Sequence, residues 1–153
     1  MRLRIRTLAT FASVVLTIGL LSLTQSASAV SDCKKASGNL SGGGGSGTIT
    51  QGGILNGTTQ AVFTSAFSPT PNPTTFSFTD DLTITTDKGV LKTHNVGIFS
   101  VAAGVFSAID RIDPTASTGD FAGATGVLYI NGKTPDGGVT IQAEITGEIC
   151  FAN

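Results

Sequence analysis

The last part of the chain, residues 139–151, alternates strictly between two kinds of side chain. One parity holds small or apolar residues: Val139, Ile141, Ala143, Ile145, Gly147, Ile149 and Phe151. The other parity is polar and ends at a cysteine: Thr140, Gln142, Glu144, Thr146, Glu148 and Cys150. Because successive side chains of a β-strand point to opposite faces, this pattern predicts a strand with one buried and one solvated face.

Upstream of this strand the chain consists of short apolar segments separated by turn residues, and no helical period continues for three turns. Its sparse charge and its content of glycine, threonine and β-branched residues favour strands and turns over helices. We predict strands at residues 57–67, 76–86, 90–95, 98–112, 121–131 and 139–151. Turns or loops are predicted between them, at residues 68–75, 87–89, 113–120 and 131–138.

These strands predict an all-β fold consisting of one small antiparallel β-barrel of about eight strands, because closure removes exposed strand edges. A two-sheet β-sandwich is the alternative. Parity predicts that one set of side chains faces the interior together: Phe76, Phe78, Ile84, Ile141, Ile145 and Ile149. Residues 98–112 are apolar on both faces, which predicts either a subunit interface or a central strand under a loop.

The first 29 residues are predicted to be a signal peptide outside the fold. Arg2, Arg4 and Arg6 precede a largely apolar stretch, and the small-x-small pattern at residues 27–29 predicts cleavage before Val30. The alternative is a membrane anchor, which needs about 20 apolar residues, whereas this stretch is shorter and diluted by serine and threonine. We therefore expect a secreted or periplasmic protein without a stable membrane span after cleavage.

The expected mature chain divides into a flexible Gly/Ser-rich segment at residues 30–47 and a barrel domain at residues 48–153. After removal of the three leader arginines it has six Lys and Arg against ten Asp and Glu, a net charge of −4. This sign of charge, without a basic cluster, excludes nucleic-acid binding. The sequons at Asn39 and Asn56 are glycosylation acceptors only in a host that glycosylates its exported proteins.

Cys33 and Cys150 are the only cysteines of the chain. We predict a disulfide between them, because an exported protein folds in an oxidising compartment. The bond would tie the N-terminal segment to the solvated face of the last strand. The chain-entropy model gives about 4–5 kcal/mol, an upper estimate, for closing so long a loop. Two independent thiols are the alternative.

The stretch TGDFAGATG, residues 118–126, contains Gly119, Gly123 and Gly126. It has neither the dinucleotide nor the P-loop spacing, and the residues VLYING that follow predict a strand and not a helix. We therefore interpret these three glycines as structural positions, where a strand bends or another backbone approaches closely. Phe121 is expected to cap the barrel interior beside them.

The same stretch carries a resemblance. DPTASTGDFAGATGVLYINGKTPDGG, followed by AEITGEI, resembles the pattern of the allene oxide cyclase barrel-like superfamily over roughly residues 96–151. That superfamily includes plant allene oxide cyclases, dirigent proteins and a branch of bacterial secreted proteins. The resemblance implies a calycin-like, eight-stranded antiparallel barrel, often trimeric, with a hydrophobic interior. It also implies a cyclase, isomerase or dirigent-like function on a small hydrophobic substrate.

Two positions stand out as candidates for chemistry on the middle strands. His94 is the only histidine, and without a nucleophile motif we expect it to be exposed or packed and not catalytic. A metal site formed by His94 with Asp80, Asp81 or Asp87 is not indicated, because the spacing of these residues does not place their side chains on one face. Asp80 falls in the apolar row of its strand, on the same face as Phe78 and Leu82. We predict a β-bulge that turns Asp80 outward, and a buried functional carboxylate is the alternative.

Asp110, Arg111 and Asp113 form a short charged cluster. An ion pair within the sheet is its predicted role, and an acid at the mouth of a cavity is the alternative. Tyr129, the only tyrosine, is predicted to be a core phenol with a hydrogen-bond partner.

These features predict an exported, non-enzymatic binding or structural module with a small hydrophobic ligand, and the resemblance implies a trimer. The alternatives are a cyclase, isomerase or dirigent-like protein, suggested by the resemblance, and a surface adhesion or matrix protein, suggested by the Thr/Ser/Gly-rich composition. No metal, cofactor or set of catalytic residues is indicated by the sequence.

Overall fold

The computed structural model describes residues 32–151, which form strands and two single-turn 3-10 helices. The strands are β1 (Asp32–Gly43), β2 (Ser46–Thr50), β3 (Gly57–Phe63), β4 (Ser68–Pro69), β5 (Thr75–Thr86), β6 (Gly89–Ser100), β7 (Val105–Ile112), β8 (Thr125–Lys133) and β9 (Ile141–Phe151). The 3-10 helices are Gly53–Leu55 and Gly119–Phe121. The predicted signal peptide and its cleavage site before Val30 lie outside the described residues.

Eight of these strands close into an antiparallel barrel, which confirms the predicted fold and excludes the sandwich. The barrel runs β1–β2–β3–β5–β6–β7–β8–β9 and returns to β1, because β3 pairs with β5 and β9 pairs with β1. The two-residue β4 is an additional strand that pairs with the beginning of β5. Each barrel strand therefore has a partner on both sides, and no long unpaired edge is left to associate with another chain.

The alternation that predicted β9 is present in the barrel wall. Ile145 and Ile149 are fully buried, while Glu144, Thr146 and Glu148 are exposed. The other members of the predicted inward set agree: Phe78 and Ile84 are buried in the core, and Phe76 and Ile141 are half-buried against an internal cavity. Parity thus predicted which face of each of these strands is turned inward.

The structure corrects the prediction of a flexible segment at residues 30–47. From Asp32 onward these residues form β1 and the start of β2, which pair as a hairpin. Gly44 and Gly45 make its two-residue turn with φ angles of 59° and 84°. A Cβ atom on Gly42 would lie 2.1 Å from the Ser46 carbonyl oxygen, so the glycines allow close strand pairing. Glycine here reflects tight geometry and not a linker.

Residues 98–112 are also different from the prediction, because they form two strands and not one. β6 ends at Ser100, and β7 begins at Val105. Gly104 lies between them at a φ of 60° and donates its N–H to the Ser100 carbonyl at 2.8 Å. The turn reverses the chain, so Ile98 and Ser107 become cross-strand neighbours.

The two ends of the barrel differ. At one end, where β5 turns into β6, the two 3-10 helices fill the interior with Leu55 and Phe121, both fully buried. We call this the closed end. The opposite end carries the hairpin turns around residues 44–45, 101–104 and 134–140, and we call it the open end.

The stretch TGDFAGATG builds part of the closed end. Gly119, Gly123 and Gly126 have φ angles of 64°, 73° and 141°, all in the region that favours glycine. A Cβ on Gly119 would lie 2.3 Å from the Lys88 carbonyl oxygen, so this backbone rests directly on the β5–β6 turn. The close approach positions Phe121 inside the barrel, 6.2 Å from the ring of Phe151. β8 begins only at Thr125, later than the predicted 121.

The predicted disulfide joins the first and last barrel strands at the closed end. Cys33 and Cys150 are directly opposite in the β1–β9 register, and their sulfur atoms are 2.08 Å apart. The bond lies on the outer face of the wall, on the solvated parity of β9. It therefore reinforces the seam at which the barrel closes.

Candidate functional site

The open end contains a cavity of about 560 Å³, a volume within the range of small-molecule binding sites. Its wall is mostly apolar and takes side chains from strands on all sides of the barrel. Aromatic rings form much of this wall: Phe63, Phe67, Phe76, Phe78, Phe99 and Phe106. Ala61 and Ala108 leave room inside the barrel, and Gly137 and Gly138 line the mouth from the exposed loop between β8 and β9. The barrel is thus packed at one end and hollow at the other.

Phe67 is the centre of an aromatic cluster at the mouth of this cavity. Its ring centroid lies 5.2 Å from that of Phe63, 5.5 Å from Phe78 and 6.4 Å from Phe99. Phe63 and Phe67 remain 52% and 47% exposed, which is unusual for phenylalanine. Two half-exposed rings beside an apolar cavity form a surface that an apolar ligand can cover.

Phe78 reaches its place in the wall because its cross-strand partner is a glycine. Phe78 on β5 is opposite Gly97 on β6. A Cβ at Gly97 would lie 2.3 Å from Phe78 Cζ, so the ring lies against the β6 backbone. Gly97 therefore leaves room for the ring without narrowing the cavity.

The floor of the cavity is polar. Asp80 on β5 is opposite Asn95 on β6, and Asn95 is opposite Asp110 on β7, so the three form one inward-facing row across three strands. Asp80 and Asn95 line the cavity and are 5% and 7% exposed, while Asp110 lies behind them and is fully buried. We call these residues the polar floor. Thr93, also buried, donates a hydrogen bond from Oγ1 to Asp110 Oδ1 at 2.8 Å.

Burial makes both carboxyl groups of the polar floor weaker acids. Loss of solvation raises the pKa of Asp80 from its usual 3.8 to about 6, against a hydrogen bond from Asn95 that lowers it. Loss of solvation likewise raises the pKa of Asp110 to about 7, with the hydrogen bond from Thr93 opposing and the Asp80 charge adding to the rise. Both groups therefore titrate much closer to neutral pH than an exposed aspartate does.

The predicted bulge at Asp80 is wrong. The β5–β6 register is continuous from Thr75 to Thr86, so Asp80 stays on the same face as Phe78 and Leu82. The alternative, a buried carboxylate beside a cavity, describes its position. The signal was present in the sequence, because the same parity on β6 runs through Thr93 and Asn95, which were not singled out.

For the cluster of Asp110, Arg111 and Asp113, the predicted ion pair within the sheet is wrong at Asp110 and Arg111, whereas Asp113 lies near a basic side chain, that of His94. Adjacent residues of a strand point to opposite faces, and accordingly Asp110 is buried inside the barrel while Arg111 is exposed outside it. Asp113 lies beyond the end of β7. There it accepts hydrogen bonds from the Thr115 N–H and hydroxyl at 2.8 and 2.7 Å, which lower its pKa to about 2.

His94 is exposed on the outer face, as the sequence predicted. Its Nδ1 is 2.7 Å from Asp81 Oδ1, and its Nε2 is 3.3 Å from Asp113 Oδ2. The hydrogen bond to Asp81 is the main cause that raises the pKa of His94. The two carboxylates lie on opposite edges of the ring and do not converge on a common ligand position. Asp80 points inward and away from this group.

Tyr129 does not occupy the predicted core position. It is 47% exposed on the outer face, where it lies in a cross-strand row with Ile109 and Val96. Together with Ile98 these residues expose an apolar outer patch on β6, β7 and β8. The prediction of a subunit interface at residues 98–112 now rests on this patch.

Among residues 32–151, one group of three metal-type side chains lies close together: Cys33, Glu148 and Cys150. Both sulfur atoms are consumed by the disulfide, so this group offers no thiolate to a metal. In the same part of the chain there is no helix of the length and hydropathy needed to cross a membrane.

Comparisons of the chain with protein-family models, with curated proteins and with solved structures found no match. The resemblance to the allene oxide cyclase barrel-like superfamily therefore stays a prediction. Function has to be inferred from the cavity, its aromatic mouth and its polar floor.

Proposed function

We propose that this protein is exported and binds a small, largely apolar molecule inside its barrel. The observation that carries the proposal is the cavity itself: about 560 Å³, walled by phenylalanine and aliphatic side chains, with two polar residues at its floor. Pockets with a mostly apolar wall and a few convergent polar groups are typical of small-molecule sites. The predicted signal peptide and the disulfide support export.

Two further features support binding. The exposed rings of Phe63 and Phe67 lose contact with water when a ligand covers them, which favours association at roughly 25 cal/mol for each Å² of apolar surface. The closed end is filled by Leu55 and Phe121. The cavity is therefore a local feature of the open end and does not reflect poor packing throughout the barrel.

The test is titration of the oxidised protein with N-phenyl-1-naphthylamine, a neutral probe whose fluorescence rises in apolar surroundings. Ala108 lines the cavity, and the Ala108→Phe variant fills part of it. We expect this variant to bind the probe roughly tenfold more weakly, because the added ring occupies the ligand's volume. Ala116→Phe is the matched control, since Ala116 is exposed and lies outside the cavity. Equal affinity in both variants would show that the probe binds elsewhere.

A second candidate is a cyclase or isomerase, and the position of Asp80 favours it. A carboxyl group with a pKa of about 6 beside an apolar cavity is able to exchange a proton with a bound molecule near neutral pH. Deuterium incorporation into a bound ligand in D₂O, lost in Asp80→Asn, is the signature of this activity. A ligand that returns unchanged identifies a binding protein.

A further inference from the structure

Three acceptor oxygens of the polar floor have no hydrogen-bond donor as a partner among the described residues. Asp80 Oδ1, Asn95 Oδ1 and Asp110 Oδ2 are all buried, and none of them has a hydrogen-bond partner within the described part of the chain. A buried acceptor left unpaired costs about 1–3 kcal/mol. Two of the three residues, Asp80 and Asn95, line the cavity, so a ligand in the cavity is able to supply the missing donors.

The floor is also negatively charged without a compensating cation. Within residues 32–151, no lysine or arginine occurs among the residues that line the cavity. Arg111, the basic residue next to the floor in sequence, is turned to the outer face. Asp110, the cross-strand neighbour of Asn95 on β7, is a second carboxyl group in the same row. The charge is unfavourable in an apolar cavity unless a positive group is bound there.

From these observations we propose that the molecule bound in the cavity carries a protonated amine, which lies against Asp80 and Asn95 while the apolar body contacts the aromatic wall. This inference rests on the proposed function and adds the chemical class of the ligand. An ammonium group has three N–H donors and no acceptor, and so is suited to the unpaired acceptor oxygens Asp80 Oδ1 and Asn95 Oδ1 that face the cavity. A carboxylate head would meet like charge, and a hydroxyl head would donate only one hydrogen bond.

The aromatic wall suits the same ligand. Phe78 lies one inward position from Asp80 on β5, and its ring is in contact with those of Phe63 and Phe67. The face of an aromatic ring attracts a cation within about 6 Å. An amine that enters through the mouth therefore passes favourable surroundings before it reaches the carboxylate.

The experiment compares three probes that share one apolar body and differ in the head group: 4-phenylbutylamine, 4-phenylbutanol and 4-phenylbutyrate. Each is titrated calorimetrically into the oxidised protein at about pH 7.5, where Asp80 is mainly ionised. We expect the amine to bind roughly tenfold more tightly than the alcohol, and the acid to bind most weakly, because only the amine neutralises the floor.

Asp80→Asn tests the assigned partner, because it keeps the shape of the side chain and removes its charge. We expect the ratio of amine to alcohol affinity to fall close to one, with alcohol binding retained. Asp81→Asn is the matched control, since Asp81 is the next residue on β5 but faces outward toward His94. It should keep the full preference for the amine. Melting curves establish that both variants are folded, and the wild-type comparison decides the question if one is not.

The outcomes separate the two proposals. Equal binding of amine and alcohol by the wild type, or preference for the acid, overturns the head-group inference and leaves the binding function intact. An unchanged amine preference in Asp80→Asn overturns the role of the floor. Failure of all three compounds and of the neutral probe to bind overturns the proposed function itself.

Discussion

The closed and open ends of this barrel are formed by the same eight strands, yet one end is packed and the other contains a cavity. At the closed end two 3-10 helices place Leu55 and Phe121 in the interior, with no exposed side-chain surface. At the open end Phe63 and Phe67 are about half exposed around a cavity. The difference implies that the proposed binding at the open end is separable from stability, so that substitutions at each end should affect different properties.

The largest effect is expected from removing the disulfide at the closed end. The bond joins residues 117 positions apart, and its loss in a Cys33→Ser, Cys150→Ser double variant should lower the free energy of unfolding by about 4–5 kcal/mol. Urea unfolding measures this change, and reduced wild-type protein is the matched comparison. Probe binding at the open end should persist wherever the variant is folded. A loss of less than about 1 kcal/mol would mean that the β1–β9 ladder alone holds the seam.

The next prediction exchanges phenylalanine for alanine at each end. Phe121→Ala should cost about 3–5 kcal/mol of stability, because it leaves a cavity among fully buried side chains, and should leave probe affinity nearly unchanged. Phe67→Ala should cost less than about 1 kcal/mol, since the ring is half exposed, and should weaken probe binding several-fold. Unfolding and titration are measured on both variants. Equal stability losses at the two ends would remove the distinction between them.

The smallest of the three effects concerns pH and the polar floor. The pKa of Asp110 is about 7 in the folded protein, above its usual 3.8, so the folded state holds this proton more tightly than the unfolded chain does. The stability it contributes is complete below about pH 4 and is lost as the pH rises through about 7. The raised pKa of Asp80 changes the stability in the same direction, over the pH range between the usual pKa of an aspartate and about 6.

Asp110→Asn removes this dependence and keeps an acceptor for Thr93. It should therefore be more stable than the wild type by about 2–4 kcal/mol at pH 8, and the two should converge toward pH 4. The raised pKa of His94 gives a slope of the same sign, but it is present in both proteins and cancels in the difference. A constant difference between pH 4 and pH 8 would contradict the proposed titration of Asp110.

The sequence predicted the parts of the fold that follow from local pattern. Alternation located β9 and its buried face, the removal of exposed strand edges predicted closure, and the two cysteines of an expected exported chain predicted the disulfide. The glycine-rich stretch at residues 41–47 was misinterpreted, because a linker and a closely paired hairpin have the same composition. Only the backbone angles and the distance to the neighbouring strand distinguish them.

The alternation of side chains also predicts part of the candidate site. Strict alternation places Asp80 and Asp110 inside, whereas we predicted a bulge at Asp80 and an ion pair for the cluster that contains Asp110. The structure instead buries both carboxyl groups in the same row of the polar floor. The register that places Asp80, Asn95 and Asp110 side by side depends on how three strands align. No local sequence pattern predicts that alignment.

The seam between β1 and β9 has a consequence for how the barrel can be attached to something else. Asp32 and Phe151 are cross-strand partners, so the polypeptide enters and leaves the barrel at neighbouring points, both at the closed end. A fusion partner or surface linkage at either terminus would hold the molecule by its base, with the mouth of the cavity directed away from the attachment. The same proximity makes residues 32 and 151 natural points to join in a circular permutant, with new termini opened in a turn of the opposite end.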